Sequence, residues 1–130
     1  MNVQFRGGVV RWCVALLLGF GAVLFDAASA RPVEDGKSLF QKRCSGCHTA
    51  DRDGEGPRLG GVYNRPAAAV KSFDYSTALR GSGIVWNEQT LDRWLLDPGK
   101  LVPGTEMEFR VETAGERQAI VEYLKGLNEK

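Results

Sequence analysis

Cys44-Ser45-Gly46-Cys47-His48 is the stretch on which the rest of this 130-residue chain depends. A cysteine pair with two residues between, followed at once by histidine, is the pattern that attaches a c-type haem. Two thiols add across the two vinyl groups of one porphyrin, so a short loop must separate them. The histidine directly behind the second is carried under the ring plane, where its imidazole can bind iron. Other readings of the cysteine pair fit less well. A dithiol redox motif asks for a βαβ pattern around it, and the turn-rich flanks offer none. Structural zinc needs four ligands, typically with a second Cys/His pair, yet the chain holds three cysteines and one histidine in all. A disulfide between Cys44 and Cys47 would close too short a loop to remove much entropy from the unfolded chain.

Upstream, Met1 to Ala30 combines a short basic start (Arg6, Arg11), an apolar stretch from Trp12 to Phe25, and the small-residue exit Ala28-Ser29-Ala30. That is the pattern of a secretory signal peptide, with cleavage expected after Ala30. The uncharged stretch is shorter than the roughly 20 residues a membrane-spanning helix needs. Cys13 leaves with this segment, so the mature chain keeps only the two cysteines of the haem motif. Residues 31–130 then form one small domain, near the lower end of what folds unaided. A covalently held porphyrin would supply much of the core that so short a chain lacks, and the haem-free chain is expected to be largely unstructured.

Charge excludes one class of partner. Taking Arg6, Arg11 and Asp26 away from the 17 basic and 16 acidic residues leaves 15 of each. A formally neutral chain has no basic stripe of the kind nucleic-acid binding demands, and no nucleic-acid partner is expected.

Along the mature chain, Pro32 suits a first helical turn, and Gly36, Leu39 and Phe40 share a face of a helix of about ten residues running into Cys44. Residues 51–57 are loop by composition, and so is most of Leu59 to Val85, with a possible helical turn from Asp74 to Arg80 ended by Gly81. Asn87 is an N-cap for a helix through Asp97 whose buried stripe is Leu91, Trp94 and Leu95, with Pro98 as its stop. Leu101 to Met107 reads as an irregular strap. Thr113 to Glu116 reads as a capping box that opens a last helix with Ile120, Tyr123, Leu124 and Leu127 on one side. Loops this long need a reason in so small a domain, and wrapping a flat cofactor is one.

His48 is the sole histidine, which excludes a bis-histidine haem. Of the two methionines, Met1 leaves with the leader, so Met107 is the one thioether remaining. It lies in a Pro/Gly loop that no helical or strand stripe explains, and soft sulfur suits iron in an electron-transfer site. Lys100, or an open sixth position, is the alternative to Met107 as second axial ligand. Thioether ligation raises the reduction potential relative to two nitrogen ligands.

Over nearly its whole mature length the chain resembles class I cytochromes c of the mitochondrial and bacterial c2 type. The likeness rests on Gly36-Lys-Ser-Leu-Phe40 ahead of the haem motif, then Gly56-Pro57, Asn64-Arg65, Phe73-Asp-Tyr75, Gly83-Ile-Val-Trp86, Thr90-Leu91, Pro98, Pro103-Gly-Thr-Glu-Met107-Glu-Phe109 and Tyr123-Leu124-Lys125. The resemblance implies a mostly α-helical class I cytochrome c fold, with three main helices and long loops around one covalently bound haem c. It implies that His48 and Met107 are the axial iron ligands and that Cys44 and Cys47 hold the porphyrin. Pro57 would offer its carbonyl to the free ring nitrogen of His48. Arg65, Tyr75 and Trp86 would meet the buried propionates, and Thr105 would help hold the Met107 loop. Gly36 and Phe40 would pack against Tyr123 where the first and last helices cross.

Two departures stand out. Leu79 replaces a buried asparagine of the family and Trp94 a tyrosine near the methionine. Both changes are expected to remove polar groups near the distal side. Glu106 and Gly99 stand where lysines are usual, although Arg43 and Lys100 remain, so the docking face is expected to be largely apolar or weakly charged, with little salt sensitivity. The function implied is a periplasmic one-electron carrier, not an enzyme. It would act as a monomer between redox partners such as a cytochrome bc1-type complex, a terminal oxidase or a periplasmic dehydrogenase. A haem-based sensor or small peroxidase with a labile Met107 is the alternative.

Overall fold

The structure, a computed structural model, describes residues 34–127. The leader assigned to Met1–Ala30 and the helical role of Pro32 fall outside the described residues. Five helices follow in order: α1 (Gly36–Arg43), α2 (Thr77–Arg80), α3 (Glu88–Leu96), α4 (Pro98–Leu101) and α5 (Ala114–Gly126). Three of them are long enough to be the main helices expected; α2 and α4 are single turns. No strand occurs among the described residues, only an isolated antiparallel bridge between Pro66 and Val85.

Local chemistry explains most of the helix starts. Asp35 opens α1 by accepting the Ser38 N–H at 3.1 Å and the Ser38 hydroxyl at 2.8 Å. Asn87 opens α3 with a reciprocal box, its Oδ1 accepting the Thr90 N–H at 2.9 Å while Thr90 Oγ1 accepts the Asn87 N–H at 2.8 Å. Such caps are each worth about 1 kcal/mol. Ser76 caps α2, and Gly81 closes it as expected.

Two expectations fail. Pro98 does not simply stop a helix: α3 ends at Leu96, and Asp97 accepts the Lys100 N–H at 3.0 Å to start α4 with Pro98 in its first turn. A proline lacks only an N–H that a first turn leaves unpaired anyway, so it can begin a helix where it cannot continue one. The strap to Met107 therefore starts inside α4. Nor does Thr113 form a capping box, because its side chain makes no cap hydrogen bond. Glu116, the box's other half, is drawn instead to Arg43 at the end of α1, at 3.1 Å.

α1 crosses α5 at Gly36. A Cβ there would lie 1.9 Å from the Ala119 carbonyl oxygen and 2.9 Å from Tyr123 Cβ, so only glycine admits this approach. Phe40 and Tyr123 meet beside it with ring centroids 5.2 Å apart. α3 packs on α5 through an ion pair that sequence patterning missed. Arg117 is buried, its Nε donates to Asp92 at 2.7 Å, and one terminal nitrogen serves the carbonyls of Val111 and Glu112 at 3.0 and 2.8 Å. A charged residue this buried needs such partners. No buried side-chain nitrogen or oxygen among the described residues lacks a hydrogen bond.

Candidate haem site

Between these helices and the loops lies a cavity of about 360 Å³, within the range of small-molecule and cofactor sites. All nine residues assigned to the site from the sequence line it.

The haem motif is a tight turn hung from α1. The N–H groups of Cys44 and Ser45 both donate to the Phe40 carbonyl, at 2.8 and 3.0 Å, and those of Cys47 and His48 return to the Cys44 carbonyl, at 3.1 and 2.8 Å. Both thiols are free. Burial pushes Cys44 up from the usual thiol value, and the Glu55 carboxylate, accepting the Cys47 S–H at 3.4 Å, does the same for Cys47.

His48 Nδ1 lies 2.7 Å from the Pro57 carbonyl oxygen. A carbonyl can only accept, so Nδ1 carries the proton and Nε2 is left with its lone pair for a metal. Gly56 backs the ring: a Cβ at this position would fall 2.2 Å from His48 Cε1. The loop that presents Pro57 is locked in turn. Asp53 accepts the Ser72 hydroxyl at 2.5 Å and the Arg58 N–H at 2.8 Å, and these bonds hold its carboxyl below the usual range.

Arg65 and Trp86 are joined through the backbone. The Trp86 N–H donates to the Arg65 carbonyl at 3.0 Å, and the Asn64 N–H to the Trp86 carbonyl at 2.7 Å. The Arg65 guanidinium gives two of its five donors to the carbonyls of Gly60 and Arg58, at 2.9 and 3.0 Å. Burial beside the cavity pulls the Arg65 pKa down and pushes that of the Tyr75 phenol up. The Thr105 N–H bonds the Val102 carbonyl at 3.1 Å, closing the turn that leads to Met107.

On the Met107 side one expectation needs correction. Leu79 is buried in the wall and brings no polar group. Trp94, however, does not remove a donor: its indole N–H donates to Met107 Sδ at 3.2 Å. The rim also carries more charge than expected. Glu55, Glu106 and Glu108 are exposed carboxylates on the cavity lining, while Arg43 beside them is taken up by Glu116.

The donor set and walls fit a covalently held haem: two free thiols, an imidazole with Nε2 open and a thioether share one largely apolar cavity. Zinc does not fit, since no cluster of three or more His, Cys, Asp or Glu among the described residues could hold a metal ion.

Comparison with known proteins gives the same class. The family model for cytochrome c matches residues 33–128. A cytochrome c type-1 of Ascaris suum is 42% identical over 95 residues, covering 71% of this chain and 85% of its own length. A cytochrome c of Gibberella zeae is 38% identical over 97 residues, covering 72% and 92%. Among solved structures, cytochrome cH from Methylobacterium extorquens superposes with a TM-score of 0.67 at 35% identity, over 72% of this chain and 99% of that one. The protein is a class I c-type cytochrome. It belongs to the cytochrome c family, carries one covalent haem c, and serves as an electron carrier rather than an enzyme.

Proposed function

We propose that this cytochrome is an exported, monomeric one-electron carrier of the bacterial periplasm, cut after Ala30, whose iron is ligated by His48 and Met107. When bound, the haem supplies an iron centre that takes up and returns one electron. The chain's own residues do the rest. Cys44 and Cys47 tether the porphyrin, and Pro57 fixes the tautomer of His48 and strengthens it as a ligand. Arg65, Tyr75 and Trp86 meet the propionates, for which Arg65 keeps donors beyond the two spent on carbonyls. Thr105 braces the strap that carries Met107. Donor and acceptor are redox proteins of a respiratory chain or a periplasmic dehydrogenase, such as a cytochrome bc1-type complex and a terminal oxidase. Among the described residues no helix is long and apolar enough to cross a membrane. Export rests on the sequence of residues 1–30.

One observation carries the ligation reading: His48, with Nδ1 engaged 2.7 Å from Pro57, shares its cavity with Met107, the only methionine among the described residues. Two protein ligands on one iron leave no position for an exogenous molecule. The visible spectrum of the reduced holoprotein should therefore not change when carbon monoxide is added. A clear shift would show an open or labile sixth position and would favour a ligand-binding haem protein.

A further inference from the structure

Three acidic side chains line each of two clefts, and their surroundings differ. In the groove between α3 and α5, Glu88 and Glu122 both pair with Lys125, at 3.0 and 3.1 Å, and Asp92 pairs with the buried Arg117 at 2.7 Å. Every acid there has a cation. At the mouth of the haem cavity, Glu55, Glu106 and Glu108 are exposed, and none of them forms an ion pair among the described residues. The nearby cations are committed elsewhere. Arg43, on the same lining, is spent on Glu116, and Arg110, two residues after Glu108, on Asp97 at 3.2 Å. Arg65 is held by the carbonyls of Gly60 and Arg58, and Lys100 does not line the cavity. Glu55 accepts one hydrogen bond, from the Cys47 S–H. Haem attachment removes that donor, because the sulfur bonds one vinyl carbon and its proton goes to the other.

We infer that this mouth is an acidic docking rim, formed by Glu55, Glu106, Glu108 and Phe109, for a redox protein that presents lysine or arginine side chains around an apolar contact. This names the chemistry of the partner in the reading above, and rests on that reading. Two observations besides the carboxylates point to a protein surface rather than to a small ion. Of the three large apolar side chains exposed among the described residues, Phe109, at 43%, is the one on the cavity lining. An apolar contact with charge at its edge is the make-up of a protein interface. Cys47, one of the two tethers, is also exposed, so a partner seated here approaches the cofactor at its attachment. Charge balance adds a direction. Residues 31–130 hold 15 basic and 15 acidic groups, and setting three acids at the mouth leaves 15 basic against 12 acidic over the rest. A neutral chain then has a dipole with its negative end at the cavity, which turns that end toward a basic partner during encounter. Such complementarity speeds association more than it tightens the complex, which suits a carrier that must dock and leave.

Two measurements on the reduced holoprotein test the rim. In the first, a short oligolysine peptide is added and backbone amide resonances are followed. Shifts at Glu55, Glu106, Glu108 and Phe109, lost in the triple variant Glu55→Gln/Glu106→Gln/Glu108→Gln and kept in Glu88→Gln/Glu122→Gln, are the expected result. No shift, or shifts confined to the groove between α3 and α5, would overturn the inference. In the second, the protein is oxidised by cationic tris(phenanthroline)cobalt(III) and by anionic ferricyanide. Raising the ionic strength from about 0.01 to about 0.15 M shortens the screening length from roughly 30 to roughly 8 Å. The rate with the cobalt complex should then fall by roughly tenfold, the low end of what electrostatic steering supplies, and the rate with ferricyanide should rise. Both salt effects should shrink in the triple variant, which leaves the propionates and the rest of the surface unchanged. Salt effects of the opposite sign, or equal in wild type and the triple variant, would overturn the acidic rim while leaving the carrier reading in place. A holoprotein that exchanged electrons with neither complex would overturn the carrier reading, and the inference with it.

Discussion

At the crossing of α1 and α5, Gly36 brings two helix backbones together and Phe40 meets Tyr123; in the loops of residues 44–76 and 102–113, Val62, Tyr75 and Met107 line the cavity. The crossing is protein packed on protein at Gly36, Leu39 and Tyr123, with Leu39 1% exposed, and only its inner edge, Phe40 and Ile120, reaches the cavity. In the loop half, backbone groups are paired locally through turns, caps and one isolated bridge; Val62 and Tyr75 face the cavity, while Val70, Val102 and Val111 are buried in the protein core. The difference teaches where the core of this cytochrome lies. Helix and loop side chains supply one part of it, and a haem seated in the cavity is expected to supply the rest.

The sharpest way to break that comparison is to withhold the cofactor. The double variant Cys44→Ala/Cys47→Ala cannot tether haem, and the loop half then loses the surface it is folded around. We expect circular dichroism of this protein to show little helix and no cooperative thermal transition. A cooperative transition near that of the holoprotein would mean that the helical half suffices as a core.

A smaller effect separates the two regions by glycine. Gly36→Ala forces a Cβ into the Ala119 carbonyl, and overpacking of this kind costs about 1–3 kcal/mol, several degrees of melting temperature for a domain of this size. The visible spectrum should stay as in wild type. Gly56→Ala instead pushes a Cβ into the His48 ring, so its main effect should be on the spectrum and on haem retention. If Gly36→Ala altered the spectrum while Gly56→Ala changed only stability, the division of labour between the two halves would be wrong.

Legibility in the sequence follows the same division. Features set by neighbours a few residues apart were readable: the Asn87 cap, the Leu91/Trp94/Leu95 stripe, the end of α2 at Gly81, and the haem motif. The family resemblance supplied the longer-range pieces, and the residues it singled out converge on one cavity. What stayed hidden depends on partners distant in sequence. Thr113 and Glu116 have the spacing of a capping box, but Arg43 on another helix takes the carboxylate. Arg117 falls among apolar positions of α5 and looks like an exposed charge until Asp92 and two carbonyls are seen around it. Trp94 reads as core by periodicity, and the resemblance sets it near Met107 as a polar group lost; that its indole N–H donates to the sulfur depends on the fold of an irregular strap that no periodicity can place.

The central claim is that one iron is held between His48 and Met107 in a closed site. X-ray absorption at the iron edge of the oxidised and reduced holoprotein, beside Met107→Leu, tests it most directly. A sulfur neighbour in both redox states of the wild type, absent from Met107→Leu, is the predicted result. A first shell of nitrogen and oxygen alone, unchanged by the substitution, would contradict it.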